Sequence, residues 1–498
     1  MNKKTRIPCI ALALLMLLAS ALAAVSCGES TAQEQTTAGP ALSGDVPSTE
    51  AGDTGPTFAE ADYGGSTFTV YMRDSKTDHY AGVYIFRAEG ATDIVSEQTE
   101  IRNQTVEDRY NIKFKFIEAS SPSNTIKQDV AGGEIPYDLV LSQRSSLGGI
   151  AYEGLLRNFN DLDIDYTTHW WDANAAKIYG YMDKLFVMPN DVSVSNLAGC
   201  RLWWFNKAVL ENFNLTSPYD YVHKNEWTID TFFTMIKSVA APGPDGQLGT
   251  YGLSNEEGSV RSHMQTGIGS FHVEVDEENN LVCKIGTDYA EKTQDFFDKL
   301  KAIVKDPTCC LDFNAAAGKD SINDSKYTDQ FNHTRALFCQ GHFLFTQTSM
   351  NGALTSFEET EKGIGAVMNP KYDSNQPEYY HKMDNLFPIW CLPRDPNADL
   401  ERLANVMDFW AYTSSHTVME AYYELTLKTK RASDPDMAEM LDTVKSSIHY
   451  YITDIFGADI GSLSEAGYNQ SIATAWKVLQ KKVPNELKKV QEKIAAID

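Results

Sequence analysis

The run Arg201–Leu215, RLWWFNKAVLENFNL, sets the terms for this chain. Leu202-Trp203-Trp204-Phe205 is a short apolar run of the kind that suits a buried strand. It stops at Asn206-Lys207, and Val209, Leu210 and Phe213 then recur on one side at helical spacing. A buried strand that passes straight into a helix belongs to layered α/β architecture, and the flanking sequence repeats the alternation. Thr67–Met72 reads as a strand and Ser96–Tyr110 as a helix. Asn111–Ile117 alternates as a strand, Ile126–Val130 is a short helix ended by Gly132-Gly133, and Tyr137–Leu141 is again a strand. Further on, Tyr289–Val304 has helical spacing, and HVEV and LVCKI flank a charged turn at Asp276–Asn280 as a hairpin should. A helix ends at Gly341 before a buried strand, another covers Leu403–Thr413, and Ile472–Ile497 is helical with a break at Pro484.

Residues 1–26 read as a secretory signal: Lys3, Lys4 and Arg6 precede the apolar run Ile10–Ala19, which is short for a membrane span. Ala24-Val25-Ser26-Cys27 is similar to a lipoprotein box, with alanine where leucine is usual, which makes Cys27 the expected lipidated residue. Residues 27–61 lack any apolar period and read as a flexible low-complexity tether. From Asp62 to Asp498 the chain is too long for one ordinary core, so two lobes are expected. With 43 Lys+Arg against 68 Asp+Glu, the surface argues against nucleic acid or a bare anionic membrane as partner. Beyond Cys9 and Cys27, six cysteines remain: Cys200, Cys283, Cys309, Cys310, Cys339 and Cys391. No CxxC or zinc-like spacing occurs among them, so no metal and no catalytic cysteine is expected. Disulfides and scattered buried thiols both stay open.

Several of these segments, in this order, resemble the extracellular solute-binding proteins of family 1 type, the ligand receptors of ABC importers. The Phe205-Asn206-Lys207 junction resembles that family's crossover between lobes. EIRNQTVEDRYNIKFKF, the YDLV strand, Gly154-Leu155-Leu156, KLFVM with Asn190-Asp191, Trp227-Thr228-Ile229-Asp230, GQLGTYGL and RALFCQGHFLF resemble successive family elements. IGAVMNPKYDSNQPEYY and AYYELTLKTKRASDPDMAEML resemble a clostridial lipoprotein subgroup. The resemblance implies an α/β, two-lobe periplasmic-binding-protein-like fold with discontinuous lobes and a hinge. Residues 62–195 and 384–425 would form lobe 1, and residues 196–383 and 426–498 lobe 2. It also implies a monomer on the outer face of the cell membrane, held by a lipid anchor. That monomer would close around a small polar solute and pass it to an ABC permease.

In open α/β sheets ligands bind beyond the carboxyl ends of strands. That rule makes Arg73, Asp74, Gln143 and Arg144 ligand-binding candidates, together with Ser349 and Asn351 past the strand after Gly341. Asp191 at the entry to the hinge, Gln265, and Trp390 at the return crossing complete the cleft, with Trp171. His169-Trp170-Trp171-Asp172 admits two readings. Its rings can stack on a sugar face while the carboxylate accepts from hydroxyls, or it can cap a helix and plug the lobe. We expect one tryptophan to do the latter. Thr228 is expected to cap a helix, Trp227 to be structural, and His342, in an apolar run, to be a satisfied core residue.

Aromatic richness favours a sugar as ligand, with a peptide or another polar solute as the other choices. No GxSxG, HExxH, Walker loop or GxGxxG-plus-acid arrangement occurs, so no cofactor and no enzyme activity is expected. A secreted carbohydrate-active enzyme is the rival class, since 68 acidic residues supply many carboxylate pairs. A sensor or adhesin lipoprotein without a transport role is the third.

Overall fold

The computed structural model describes residues 56–74, 84–244, 248–255, 259–312, 330–357, 360, 363–384, 387–423, 435–456 and 461–497. The signal, Cys27 and the first part of the tether lie outside them. Two separate sheets organise these residues. The first contains β1 (Ser66–Arg73), β2 (Ile112–Ala119), β3 (Leu139–Gln143) and β4 (Val187–Met188), joined late in the chain by β13 (Pro388–Cys391). Its order is β2-β1-β3-β13-β4, with β1, β2 and β3 parallel and β13 antiparallel to both of its neighbours.

The second sheet is built from β5 (Arg201–Asn206), β6 (Ala240–Ala241), β7 (Thr250–Asn255), β10 (Cys310–Asp312), β11 (Phe343–Ser349) and β12 (Ile364–Val367). It runs β10-β7-β11-β5-β12, and β6 pairs with β7. β8 (Val273–Val275) and β9 (Leu281–Cys283) form the hairpin expected around Asp276–Asn280. The chain therefore leaves the first sheet after β4, builds the second, and returns at β13. Where it crosses, Cys200 bridges Met383, Asp384 N–H donates to Gly199 O at 2.9 Å, and Arg201 pairs with Asp384 at 2.9 Å.

β5 lies between β11 and β12, antiparallel to both. Leu202 to Phe205 are all buried because helices cover both faces. Trp203 packs on Phe232 with centroids 4.6 Å apart, while Trp204 meets Phe357 at 5.3 Å. At the end of the strand Asn206 Oδ1 accepts from Ala208 N–H at 3.0 Å and Val209 N–H at 3.2 Å, which caps the helix Lys207–Asn212. Its Nδ2 donates to Phe338 O at 3.0 Å and so ties that cap to the neighbouring helix. Thr228 caps Ile229–Lys237 as expected, and Trp227 is buried with its Nε1 donating to Met368 O at 2.9 Å.

The helix Ile94–Tyr110 is longer than the spacing predicts because Asp93, accepting from Ser96 N–H at 3.0 Å, starts it earlier. The short helix expected at Ile126–Val130 runs from Pro122 to Gly132. The last helical run is interrupted as expected, but the break lies just ahead of Pro484 rather than at it. The helices are Ile472–Leu479 and Lys482–Ala495, and Pro484 stands in the first turn of the second, where no intrahelical partner for an N–H exists. Part of the expected tether is packed: Phe58 stacks against Tyr412 at 4.9 Å and Phe409 at 5.1 Å, and Arg109 Nη2 donates to Phe58 O at 3.0 Å.

After β13 the helix Leu400–Ser415 packs on Ile94–Tyr110 over the first sheet, and Pro435–Ser446 packs beside β12 of the second. The next helix, Ile452–Phe456, packs on Gly148–Tyr152 and the turn Arg144–Ser146, elements of the first-sheet layer. The six cysteines after Cys27 are free, five of them buried. The Asn206 junction gives a direct test. Asn206→Ala removes a cap and one of the two donors to the Phe338 carbonyl, which keeps Gly341 N–H, and should cost about 1–2 kcal/mol in urea denaturation. An unchanged midpoint would show that the strand-to-helix turn is held by packing alone.

Candidate functional site

A cavity of about 330 Å³ opens where the first-sheet layer, the crossing segment and the helix Pro435–Ser446 meet. That volume lies at the lower end of the range of small-molecule sites. Trp171, Asp172 and His169 line one side, Asn190, Asp191 and Asn196 the next, and Asp442 and Lys445 the third.

The tryptophan segment and the crossing segment are joined through the backbone. Trp171 bridges Asn190, and Asp191 N–H donates to Trp170 O at 3.0 Å. Both indole N–H groups of Trp170 and Trp171 donate to Asp408 Oδ1 at 2.7 Å. Trp170 plugs the lobe among Phe58, Tyr412 and His169, and Trp171, also buried, lends an edge to the cavity. Asp172 caps the helix Ala173–Tyr179 by accepting from Ala175 N–H at 2.9 Å, and its second oxygen accepts from Tyr450 O–H.

Asn190 and Asp191 differ from these. Asn190 Oδ1 accepts from Val192 N–H at 3.1 Å, which turns its Nδ2 the other way. Asn190 is 4% exposed, and Nδ2 is buried without a partner among the described residues. Leaving a buried donor unmatched costs roughly 1–3 kcal/mol. Asp191 is half-buried, and no protein donor among the described residues reaches its side-chain oxygens. Burial pushes its carboxyl up to about 7, nearby Lys445 works the other way, and Asp172 adds to the rise. Burial, His416 and Lys445 together hold His169 below the usual imidazole range.

The geometry of the pair is set from behind by a residue the sequence reading passed over. Arg102 is fully buried in the helix Ile94–Tyr110. Its Nη1 donates to Val192 O at 2.9 Å and Ser414 Oγ at 3.2 Å, its Nη2 to Ile85 O at 2.7 Å and Tyr84 O at 3.1 Å, and its Nε to Asn103 Oδ1 at 3.0 Å. Ser414 Oγ in turn donates to Asp191 O at 2.6 Å. Burial lowers the Arg102 pKa to about 9. The signal available in sequence was an arginine on the apolar side of a helix, next to Asn103.

Of the expected ligand-binding residues, the structure brings Trp171 and Asp191 to one cavity. Arg73 and Gln143 meet elsewhere, at the carboxyl end of the first sheet, where Arg73 Nη1 donates to Gln143 Oε1. Asp74 lies beside them, its N–H on Ala119 O at 2.8 Å. Arg144 turns inward, 1% exposed, and Nη2 donates to Met383 O at 3.0 Å across the crossing. Gln265 is buried between Ser270 O and Ser464 Oγ, and Trp390 is core, 5.8 Å from the Trp410 ring. Ser349 caps the helix Met350–Ser356, and Asn351 is half-buried in its first turn. His342 is satisfied by Gly249 O at 2.9 Å. A histidine and two acids, His223, Asp436 and Glu439, come together on the surface, with His223 Nε2 3.3 Å from Glu439 and 3.9 Å from Asp436. Their side chains link two helices, Pro218–His223 and Pro435–Ser446.

No protein-family model matches this sequence, and no curated protein matches it. Solved structures do. The galacto-N-biose/lacto-N-biose I-binding protein of an ABC transporter from Bifidobacterium longum, in complex with lacto-N-biose, is 15% identical with a TM-score of 0.54, covering 86% of this chain and 99% of that one. A sugar transporter from Rhizobium etli in an open conformation is likewise 15% identical at a TM-score of 0.54, over 87% of this chain and 100% of that one. A cyclo/maltodextrin-binding protein complexed with maltotetraose is 13% identical at 0.50, over 86% and 97%. At such identities the likeness establishes the fold, the two-lobe periplasmic-binding-protein-like α/β fold.

Two outcomes follow from this geometry. Arg102→Met removes five hydrogen bonds, leaving Val192 O and Ser414 Oγ without that donor while Ile85 O keeps Asn103 Nδ2 and Tyr84 O keeps Thr99 Oγ1, and should cost about 3 kcal/mol, with Arg102→Lys restoring little of it, since an ammonium lacks the fork. An equal stability of wild type and Arg102→Met in urea would refute the role. For Asp191 the folded pKa lies above the unfolded value near 3.8, so the cost of ionising it is absent below that value and complete above about 7. Asp191→Asn should therefore stabilise the unliganded protein at pH 8 relative to pH 4, on the order of 1–2 kcal/mol after solvent screening. A mutant-to-wild-type difference that does not change with pH would sink this.

Proposed function

We propose that this chain is an exported solute receptor that captures a saccharide in the cavity at the crossing and delivers it to an ABC permease. The observation that carries the reading is the pair Asn190–Asp191: a buried Nδ2 donor and a carboxylate, both without partners among the described residues, side by side on the crossing segment beside Trp171. A sugar hydroxyl can donate to Asp191, a second oxygen can accept from Asn190, and apolar sugar C–H groups can pack beside Trp171. The fold shared with the sugar-binding structures supports the same reading.

In this reading residues 62–195 with 384–425 form one lobe and residues 196–383 with 426–498 the other, although Ile452–Phe456 packs on the first-sheet layer. The crossing at Cys200–Met383 is the hinge. The helix Pro435–Ser446, packed on the second sheet, moves Lys445 and Asp442 toward Asn190 and Asp191 on closure. The signal-like residues 1–26 and Cys27 support a lipid anchor on the outer membrane face, and in this reading the receptor acts as a monomer. Arg73, Asp74, Gln143, Ser349 and Asn351 would form a second group of contacts at the strand ends.

The enzyme alternative requires two carboxylates free to act on one bond. Asp172 holds Ala175 N–H and Tyr450 O–H, and Asp442 holds Tyr423 O–H at 2.6 Å. That leaves Asp191, among the described residues, as the acid lining the cavity with both oxygens unclaimed.

A thermal-shift screen of mono- and oligosaccharides tests the proposal, because a ligand bound only by the folded form raises Tm. The expected result is a saccharide hit recovered chemically unchanged. Asn190→Ala should then weaken it roughly 5- to 100-fold, as for one lost hydrogen bond to a buried donor. Consumption of the sugar, or an affinity indifferent to Asn190, would overturn the receptor reading at this cavity.

A further inference from the structure

We infer that the solute held in the cavity carries a protonated amine, as a free amino sugar does, and that Asp191 is the group that receives it. This rests on the receptor reading above and narrows its ligand.

The first observation is the state of Asp191 itself. Its backbone is fixed by Trp170 O and Ser414 Oγ, so the side chain is presented rather than trailing. Its carboxylate nevertheless has no donor from the protein among the described residues. Structural carboxylates close by are provided for. Asp172 has Ala175 N–H and Tyr450 O–H, Asp408 has two indoles, and Asp442 has Tyr423 O–H. A half-buried carboxylate left bare is unfavourable until a partner arrives. A hydroxyl offers it one neutral hydrogen bond, whereas an ammonium offers three donors and the opposite charge.

The second observation is the charge around the same space. Asp172, Asp191 and Asp442 line it, against Lys445 as the cation. The Lys445 ammonium, 5.4 Å above the Tyr423 ring, acts on Asp191 and offsets part of that acidity. His169 does not redress the balance, since its surroundings favour the neutral ring. A cationic ligand group therefore favours the ionised form of Asp191 and pairs with it, whereas a ligand carboxylate would meet Asp172 and Asp442. That argues against an amino acid.

The third observation is Asn190. Its buried Nδ2 calls for an oxygen acceptor next to the ammonium, which a polyol ring provides and an aliphatic polyamine does not. Amine, hydroxyls and an apolar ring face together describe an amino sugar.

The test is isothermal titration of the protein at pH 7 with the mono- and disaccharides of glucosamine, N-acetylglucosamine and glucose. These keep one ring while changing the charge. The amine forms should bind at least tenfold more tightly than both neutral series. Raising the ionic strength should shrink that advantage, and Asp191→Asn should abolish it. Asn190→Ala should weaken every binder alike. Circular dichroism of Asp191→Asn guards against misfolding. If neutral sugars bind as tightly as the amines, or if the advantage survives Asp191→Asn, the amine assignment is wrong and the receptor reading stands. If none of the probes and no neutral saccharide of any length binds, both fall.

Discussion

The Arg102 guanidinium holds together the part of the molecule on which the cavity depends. Each of its N–H groups has an acceptor, and the acceptors come from four places in the sequence: Tyr84 and Ile85, Asn103, Val192, and Ser414. Burying a cation among carbonyls and a hydroxyl is tolerable only because all five donors are used. The Trp410 ring lies 5.3 Å from the same charge, and its N–H shares Asn103 Oδ1 with the guanidinium. Ser414 passes the constraint to the Asp191 carbonyl. The crossing segment thus enters the cavity at a set height against the helices Ile94–Tyr110 and Leu400–Ser415.

That anchoring explains how unpartnered polar groups persist at Asn190 and Asp191. A loop free to move would rotate both side chains into solvent and relieve the cost. Here the backbone is pinned on either side, by Trp170 O on one and by Arg102 and Ser414 on the other. Both residues line the cavity that Lys445 also lines. The arrangement resembles preorganisation in binding sites, where the folded protein carries the ordering cost before the ligand arrives. The helix Pro435–Ser446 belongs to the second-sheet layer, so the cavity has one wall on each side of the crossing. A change in the angle between the sheets would alter the distance between Asp191 and Lys445 directly.

Much of the fold was legible because it rests on local periodicity. Leu202–Phe205 as a buried strand, the cap at Asn206, the cap at Thr228 and the hairpin at Asp276–Asn280 are each determined by a few adjacent residues. The ends of elements were less legible: Asp93 lengthens one helix and Pro484 opens another, since a proline favours a first turn as readily as a break. Of the cavity, Trp171 and Asp191 could be named from position, but they came with Arg144, Gln265 and Trp390, which the structure commits to internal hydrogen bonds and packing. Position after a strand says that a side chain is near an edge. It does not say whether that side chain turns outward.

What the sequence by itself determined is the α/β alternation, the division into segments that suit two sheets, and the local caps, because hydrophobic spacing and cap chemistry act over a handful of residues. Which polar residues stand unsatisfied around one volume was decided only by tertiary structure. Asn190 and Arg102 illustrate the reason. Asn190 looks like any loop asparagine until Val192 takes its oxygen and burial isolates its Nδ2. Arg102 looks like any helical arginine until carbonyls from 17 and 90 residues away surround it. Hydrogen-bond satisfaction is a property of partners brought from afar, and no window of sequence contains them.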